Sequence, residues 1–232
     1  MNTVRALTLP TDIDLRIFCG HLAQQRVRRT VDVKRGVSSV EAVEAHEDPT
    51  YDEARGVLRQ TYGPRFQLFI IGGGMVSKYL AEMALMLDYA VTVCDPREQL
   101  LIDFAVPGVR SVTDMPDDAV KAYANDAASA IVALTHDPRI DDMGLMEALK
   151  TPAFYVGAMG STKTSAGRRK RLQALDVSDA ELARLRAPIG LPIGSKTPPE
   201  IAVAILAEIT AVRKHREKST LAHLAGLTTA AQ

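Results

Sequence analysis

Three consecutive glycines, Gly72-Gly73-Gly74, follow directly on the apolar run Phe66-Gln67-Leu68-Phe69-Ile70-Ile71. Met75, Val76, Tyr79, Leu80, Met83, Ala84 and Leu87 then recur at helical intervals. That order leaves few folds open. A short apolar run ending in glycine reads as a strand buried on both faces of a parallel sheet. Residues 90–94 supply a second such strand, which completes a strand, helix, strand unit of about thirty residues. Residues 131–134 and 153–156 read as further strands, with a helix over 140–149 between them and another over 162–175. Thr197-Pro198-Pro199-Glu200 is a capping box with prolines in the first turn. It opens a last helix whose buried stripe is Ile201, Ile205, Leu206, Ile209 and Val212. The alternation predicts an α/β fold: a Rossmann-like, mainly parallel sheet flanked by helices.

Ahead of the breaker Gly63-Pro64 the pattern changes. Ile13, Ile17, Phe18 and Leu22, then Tyr51, Ala54, Leu58 and Tyr62, fall at helical spacing, so residues 1–64 read as a small helical appendage. Residues 65–214 form the Rossmann-like ligand-binding domain, and 215–232, polar and Ala/Thr-rich, a loose tail. No internal repeat is evident.

Lys+Arg and Asp+Glu both total 28, aromatics are 5% and tryptophan is absent. A nucleic-acid partner is not expected of such a balance. No run reaches 18 consecutive apolar residues, so no spanning helix is expected. Cys19 and Cys94 provide neither a disulfide framework nor the ligands of a structural metal site. A cytoplasmic protein without a resident metal is the expectation. Cys94 closes a buried strand, where a thiol is packing.

Four loops carry the candidate chemistry. In Gly72-Gly73-Gly74-Met75-Val76-Ser77 the first glycine makes a tight turn, and Gly74 admits a pyrophosphate to the helix N-terminus. Asp95 ends the second strand about twenty residues on, where an acid meets a ribose hydroxyl. Arg97 beside it would suit a 2′-phosphate, so the choice between NAD and NADP stays open, as does a plain helix cap at Asp95. Thr135-His136-Asp137 follows the strand over 131–134. If that strand is the fourth of a doubly wound sheet, His136 faces the glycine loop, as general acid/base or as a cofactor ligand. Otherwise Asp137-Pro138 starts the next helix and His136 faces water. Gly157-Ala158-Met159-Gly160-Ser161 offers a second nest of main-chain N–H groups. The charges downstream, Lys163, Arg168, Arg169, Lys170 and Arg171, read as a solvated helix face unless they turn to the cleft. Last, Gly190 and Gly194 in a Pro/Gly-rich return, with Lys196, either line the cleft or form a structural turn.

Together FIIGGGMVSKYLAEMALMLDYAVTVCDPR, ALTHDPRID, FYVGAMGSTKT and RLRAPIGLPIGSKTPPEIAVAILAEI resemble the xanthine dehydrogenase accessory protein family of the XdhC/CoxI type, in order from Phe66 to Val212. The resemblance implies an accessory role: binding molybdenum cofactor (molybdopterin), protecting it while its sulfido ligand is installed, and delivering it to a molybdenum hydroxylase apo-enzyme. A cofactor-sulfurating protein and a second copy of the chain are the further partners implied. It carries over Gly72, Gly74, Asp95, Thr135, His136, Asp137, Gly157, Gly160, Ser161, Gly190 and Gly194 as one cleft. Family members usually begin with a Cys-Gly-Gly type segment, and Cys19-Gly20-His21 is not that motif, so no soft cysteine ligand for molybdenum is expected here. Two other readings share the glycine geometry: an NAD(P)-dependent oxidoreductase with His136 as acid/base, and a dinucleotide-binding module without chemistry.

Overall fold

The computed structural model describes residues 26–43, 47, 49–63 and 65–229, from 216 onward as backbone. The chain divides into two compact units, Met1–Arg65 and Phe66–Gln232.

The first unit is β-structured where it is described, not helical. Strands β1 (Val27–Asp32), β2 (Val37–Ala42), β3 (Thr50–Asp52) and β4 (Val57–Tyr62) form an antiparallel sheet in the order β2-β1-β4-β3. The cause is turn chemistry. Asp32-Val33-Lys34-Arg35-Gly36 and Asp52-Glu53-Ala54-Arg55-Gly56 are two copies of one Asp-x-x-Arg-Gly turn. In each, the Asp carbonyl accepts from the Gly N–H and the Asp Oδ1 from the Arg N–H. Gly36 and Gly56 take φ of +70° and +69°, the left-handed region that glycine enters without strain. This repeat of the hairpin turn corrects the reading that no internal repeat exists. Tyr51, Leu58 and Tyr62, placed in a helix by spacing, lie on strands, with Tyr51 opposite Leu58 and Tyr62 opposite Val27. Ala54 sits in the second turn. The expected helix through Ile13, Ile17, Phe18 and Leu22, and Cys19 with it, lie outside the described residues.

The second unit is a six-stranded, fully parallel sheet of β5 (Phe66–Ile71), β6 (Tyr89–Cys94), β7 (Arg110–Val112), β8 (Ser129–Ala133), β9 (Tyr155–Ala158) and β10 (Leu185–Arg186). Its order is β10-β9-β8-β5-β6-β7, the doubly wound arrangement, whose switch point lies between β5 and β8. The helices are α1 (Met75–Met86), α2 (Glu98–Phe104), α3 (Pro116–Tyr123), α4 (Pro138–Ala148), α5 (Thr162–Ala174), α6 (Asp179–Leu182) and α7 (Pro198–Thr229). Side chains alternate across the sheet. Leu68 and Ile70 join Leu80, Ala84, Ile205 and Ile209 on the α1/α7 face. Phe69 and Ile71 join Val120, Leu145 and Leu172 on the face of α3, α4 and α5.

Two expectations need correction. Strand β9 lies two residues later than 153–156, because the Ala153 N–H donates to Thr151 Oγ1 and the ladder starts only at Tyr155, opposite Ala130. Gly157 is thereby inside the strand and not in the loop. The segment after Lys214 is not a loose tail as far as Thr229, since α7 continues through it; Ala and Leu, good helix formers, carry the backbone past the last buried turn. The Glu200 carboxylate does cap this helix, accepting from the Lys196 and Thr197 N–H groups at 2.9 Å each.

Candidate functional site

The three glycines do three different jobs. Gly72 has φ +108°, donates its N–H to the Cys94 carbonyl at 2.8 Å, and leaves no room for a Cβ, which would stand 2.7 Å from Thr135 Cγ2. Gly73 donates to Asp95 Oδ2 at 2.9 Å, and a Cβ there would lie 3.2 Å from the Leu100 carbonyl oxygen. Gly74 is the N-cap of α1, exposed and extended, with no side chain capping the helix and nothing within 4 Å of where a Cβ would be. The open ground is therefore above Gly74, at the partly positive helix end. Met75 is 58% exposed beside it. Val76 instead packs into the core, and Ser77 is buried with its hydroxyl lacking a hydrogen-bond partner.

Asp95 is fully buried. It accepts from the Gly73 N–H, from the Arg97 N–H at 3.0 Å, and from Arg97 Nε and Nη2 at 2.8 Å each. Burial pulls its carboxyl upward, but the Arg97 side chain and the two main-chain donors outweigh this and hold it below the ordinary range. The carboxylate expected to meet a ribose is thus occupied in clamping the glycine loop to Arg97. Arg97 itself, with its side chain 46% exposed, is a fixed cation close enough to Asp137 and Asp141 to feel both charges.

Across the switch point, β8 hands the chain to Thr135, His136 and Asp137. Thr135 is buried against Gly72, and its hydroxyl accepts from the Asp137 N–H. Asp137 is the N-cap of α4, accepting from the Arg139 N–H and pairing with the Arg139 guanidinium. These hydrogen bonds hold its carboxyl down at about 2. The turn reading therefore accounts for Asp137: it caps the helix and makes no hydrogen bond to His136, which is exposed.

The third loop divides likewise. A Cβ on Gly157 would stand 2.6 Å from Ile189 Cδ1 and 2.8 Å from the Tyr155 ring, so that glycine admits side chains, not a ligand. Gly160 and Ser161 stand at the mouth, with Ser161 Oγ capping α5 through the Thr164 N–H. Gly190 is pressed on α7, where a Cβ would lie 3.2 Å from that of Ala204, and its N–H donates to Glu208. Gly194, with open space around it, and Lys196 are exposed.

The basic run divides: Lys163, Lys170 and Arg171 are exposed, as a solvated face requires, whereas Arg168 and Arg169 turn inward. Arg168 is buried. It pairs with Asp141 at 2.7 Å and Asp142 at 3.2 Å, and donates to the Met159 carbonyl at 2.8 Å. Arg171 pairs with Asp142 as well, and Arg169 binds the carbonyls of Leu182 and Leu185. Asp141 in turn accepts from the Thr135 N–H and hydroxyl, at 3.2 and 2.7 Å. The sequence reading missed this network. The available signal was the adjacent acid pair Asp141-Asp142 in the helix before an arginine-rich one. Burial pushes Asp141 up to about 6, against the Thr135 hydrogen bond and the Arg168 charge.

Cys94 is inert by the same physics. Its Sγ lies 3.3 Å from the Asp114 carbonyl, and burial, aided by the charges of Asp95, Asp114 and Asp117, pushes the thiol up to about 12. A Cys19→Ser protein is therefore expected to give no reaction with an aromatic disulfide reagent at pH 8 until denaturant is added. Stoichiometric reaction of the folded protein would contradict this burial.

The C-terminal ends of β5, β8 and β9 are adjacent in one parallel sheet, so the loops bearing Gly74, His136 and Gly160 share an edge. With Arg97 beside the first, this is a Rossmann-like domain with an uncapped, open helix N-terminus at its switch point. Residues 68–209 match the XdhC Rossmann domain, and the chain belongs to that family. It is 26% identical over 196 residues to a probable xanthine dehydrogenase subunit of Bacillus subtilis (strain 168), covering 84% of this chain and 56% of that one. It is 33% identical over 95 residues to the molybdenum cofactor insertion chaperone PaoD of Escherichia coli (strain K12), covering 41% and 30%. The chain spans between 30% and 56% of the length of these curated relatives. In fold it is similar to the crystal structure of a xanthine dehydrogenase (BH1974) from Bacillus halodurans, with a TM-score of 0.60 and 20% identity, covering 88% of this chain and 67% of that one. No helix among the described residues is long and apolar enough to cross a membrane.

Proposed function

We propose that the switch-point cleft grips the phosphate end of molybdenum cofactor, and that the chain serves as an accessory protein in the maturation of a xanthine dehydrogenase-type molybdenum hydroxylase. The observation that carries the reading is the uncapped start of α1 at Gly74, open to solvent and flanked by the fixed guanidinium of Arg97. Main-chain donors and a helix end suit a phosphate, and Arg97, whose Nε and Nη2 hold Asp95, keeps its Nη1 as a further donor beside them. Among the described residues no three His, Cys, Asp or Glu side chains come together as a metal-binding group. In this reading the cargo is held by its phosphate, and the metal end is left to the apo-enzyme or to a sulfurating partner. The names borne by the relatives support the same role.

Hydride transfer fits the residues less well. Asp95 is spent on Gly73 and Arg97, and Asp137 on capping, so neither a ribose ligand nor a paired acid/base is provided.

Purified protein is expected to retain pterin, detected by fluorescence after oxidation, and molybdenum, detected by elemental analysis. Thermal shifts with NAD and NADP are expected to be small by comparison. Protein free of pterin that is stabilised by a dinucleotide and reduces it with a small substrate would overturn the proposal. His136→Ala should leave unfolding free energy within about 0.5 kcal/mol of wild type, the usual range for an exposed position, while lowering pterin retention. Undiminished retention would remove His136 from the site.

A further inference from the structure

A hollow lies at the far edge of the six-stranded sheet, along β10. It has a volume of about 510 Å³, and Tyr155, Arg169, Arg184, Arg186 and Glu208 stand in its walls. Strand β10 is three places from β5, roughly 14 Å at ordinary strand spacing, so this is not the switch-point cleft. Its size is that of a small-molecule site.

Its charge is unbalanced. Arg169 donates from Nη1 and Nη2 to the carbonyls of Leu182 and Leu185 at 2.8 Å each. Arg184 donates to those of Leu149 and Ala153 at 2.6 and 2.8 Å. All four acceptors are neutral. Both guanidinium groups are thus fixed in place by neutral acceptors, and among the described residues neither forms an ion pair. Nearby acids are committed. Glu208 accepts from the Tyr155 hydroxyl at 2.6 Å, the Gly190 N–H at 2.8 Å and Arg186 at 3.2 Å. Glu181 is locked with Ser178 in the capping box of α6. Capping of carbonyls explains why an arginine stands at a helix end, as at Leu182 and Leu149. It does not explain three arginines around one hollow with a single carboxylate among them. Positioned guanidinium groups with donors to spare are suited to a phosphate group.

We propose that this hollow is a second anion site, taking a phosphate group carried by a small molecule or present as a free inorganic anion. The test is a titration of the full chain with inorganic pyrophosphate at low salt, followed by ¹H–¹⁵N spectra, in wild type and in Gly74→Val, which closes the switch-point position. Saturable shifts at the amides of residues 184–187 are expected in both. In Arg186→Gln, an exposed substitution, the same binding should weaken about tenfold, the size of one charge-assisted contact, and Arg184→Met added to it should weaken binding further. Absence of saturable shifts at residues 184–187, or shifts indifferent to Arg186→Gln, overturns the site whether or not the first cleft binds cofactor. Should the double variant not fold, Arg186→Gln decides alone. Competition by a phosphorylated pterin for the pyrophosphate shifts would assign the site to a phosphate ester, and its absence to the free anion.

Discussion

Gly74→Val is expected to yield a folded protein that no longer gains stability from its ligand. The backbone at Gly74 is extended, with φ −85° and ψ −179°, which valine adopts freely. Loss of glycine as N-cap costs about 1 kcal/mol at most. The valine Cβ meets no protein atom within 4 Å, so the isopropyl group would fill the space that the proposal gives to the phosphate. A ligand at a hundred times its dissociation constant adds about 2.7 kcal/mol to wild type, and this increment should disappear. Melting temperatures with and without phosphorylated pterin measure it, and an undiminished shift in the variant would place the ligand elsewhere. Gly72→Ala forms the contrast: with φ +108° and Thr135 2.7 Å away, it should fail in folding before binding can be assayed.

Arg168→Met is expected to yield a folded but strongly destabilised protein. The methionine fits the space of the arginine stem, but Asp141 and Asp142 lose a cation inside the protein, and Met159 loses the donor to its carbonyl. Removing one partner of a buried ion pair costs about 3–5 kcal/mol, measurable by urea unfolding of the full chain. The loss should depend on pH in a definite direction. A carboxyl raised above its unfolded value binds a proton more tightly in the native state, so it favours folding at acid pH, and that contribution fades as pH rises through the folded value. Asp141 already stands at about 6 in wild type, and without Arg168 it rises further. The deficit of the variant should therefore be larger at pH 8 than at pH 5. A deficit independent of pH would mean that Asp141 is not the group left stranded.

The Rossmann-like unit was legible in the sequence because its signals are local and mutually consistent. Phe66–Ile71, the glycines and the heptad-like stripe of α1 each specify the same strand, turn and helix. Short elements such as β7, β10 and α6 escaped, having too few residues to set up a period. The N-terminal unit misled for a different reason. Tyr51, Leu58 and Tyr62 sit at intervals that a helix and a hairpin can both produce, and the decisive information was the repeated Asp-x-x-Arg-Gly turn, whose left-handed glycine admits only the hairpin. At the site, the sequence could not divide the glycines between those facing open space and those packed against neighbouring side chains. Whether a glycine admits a ligand or a neighbouring side chain depends on what lies across from it. For Gly72 and Gly157 that is Thr135 and Ile189, partners remote in the chain. The same holds for Arg168, whose acids stand in another helix.

Arg168 holds the carbonyl of Met159 as well as the two acids, and Asp141 holds Thr135, whose methyl abuts Gly72. The turns that follow β5, β8 and β9 are consequently tied to one internal cation. A guest bound there as proposed would find the floor's contours set during folding, so little ordering entropy would be lost on its arrival. By the same linkage, a defect introduced at any of these turns is felt by the other two.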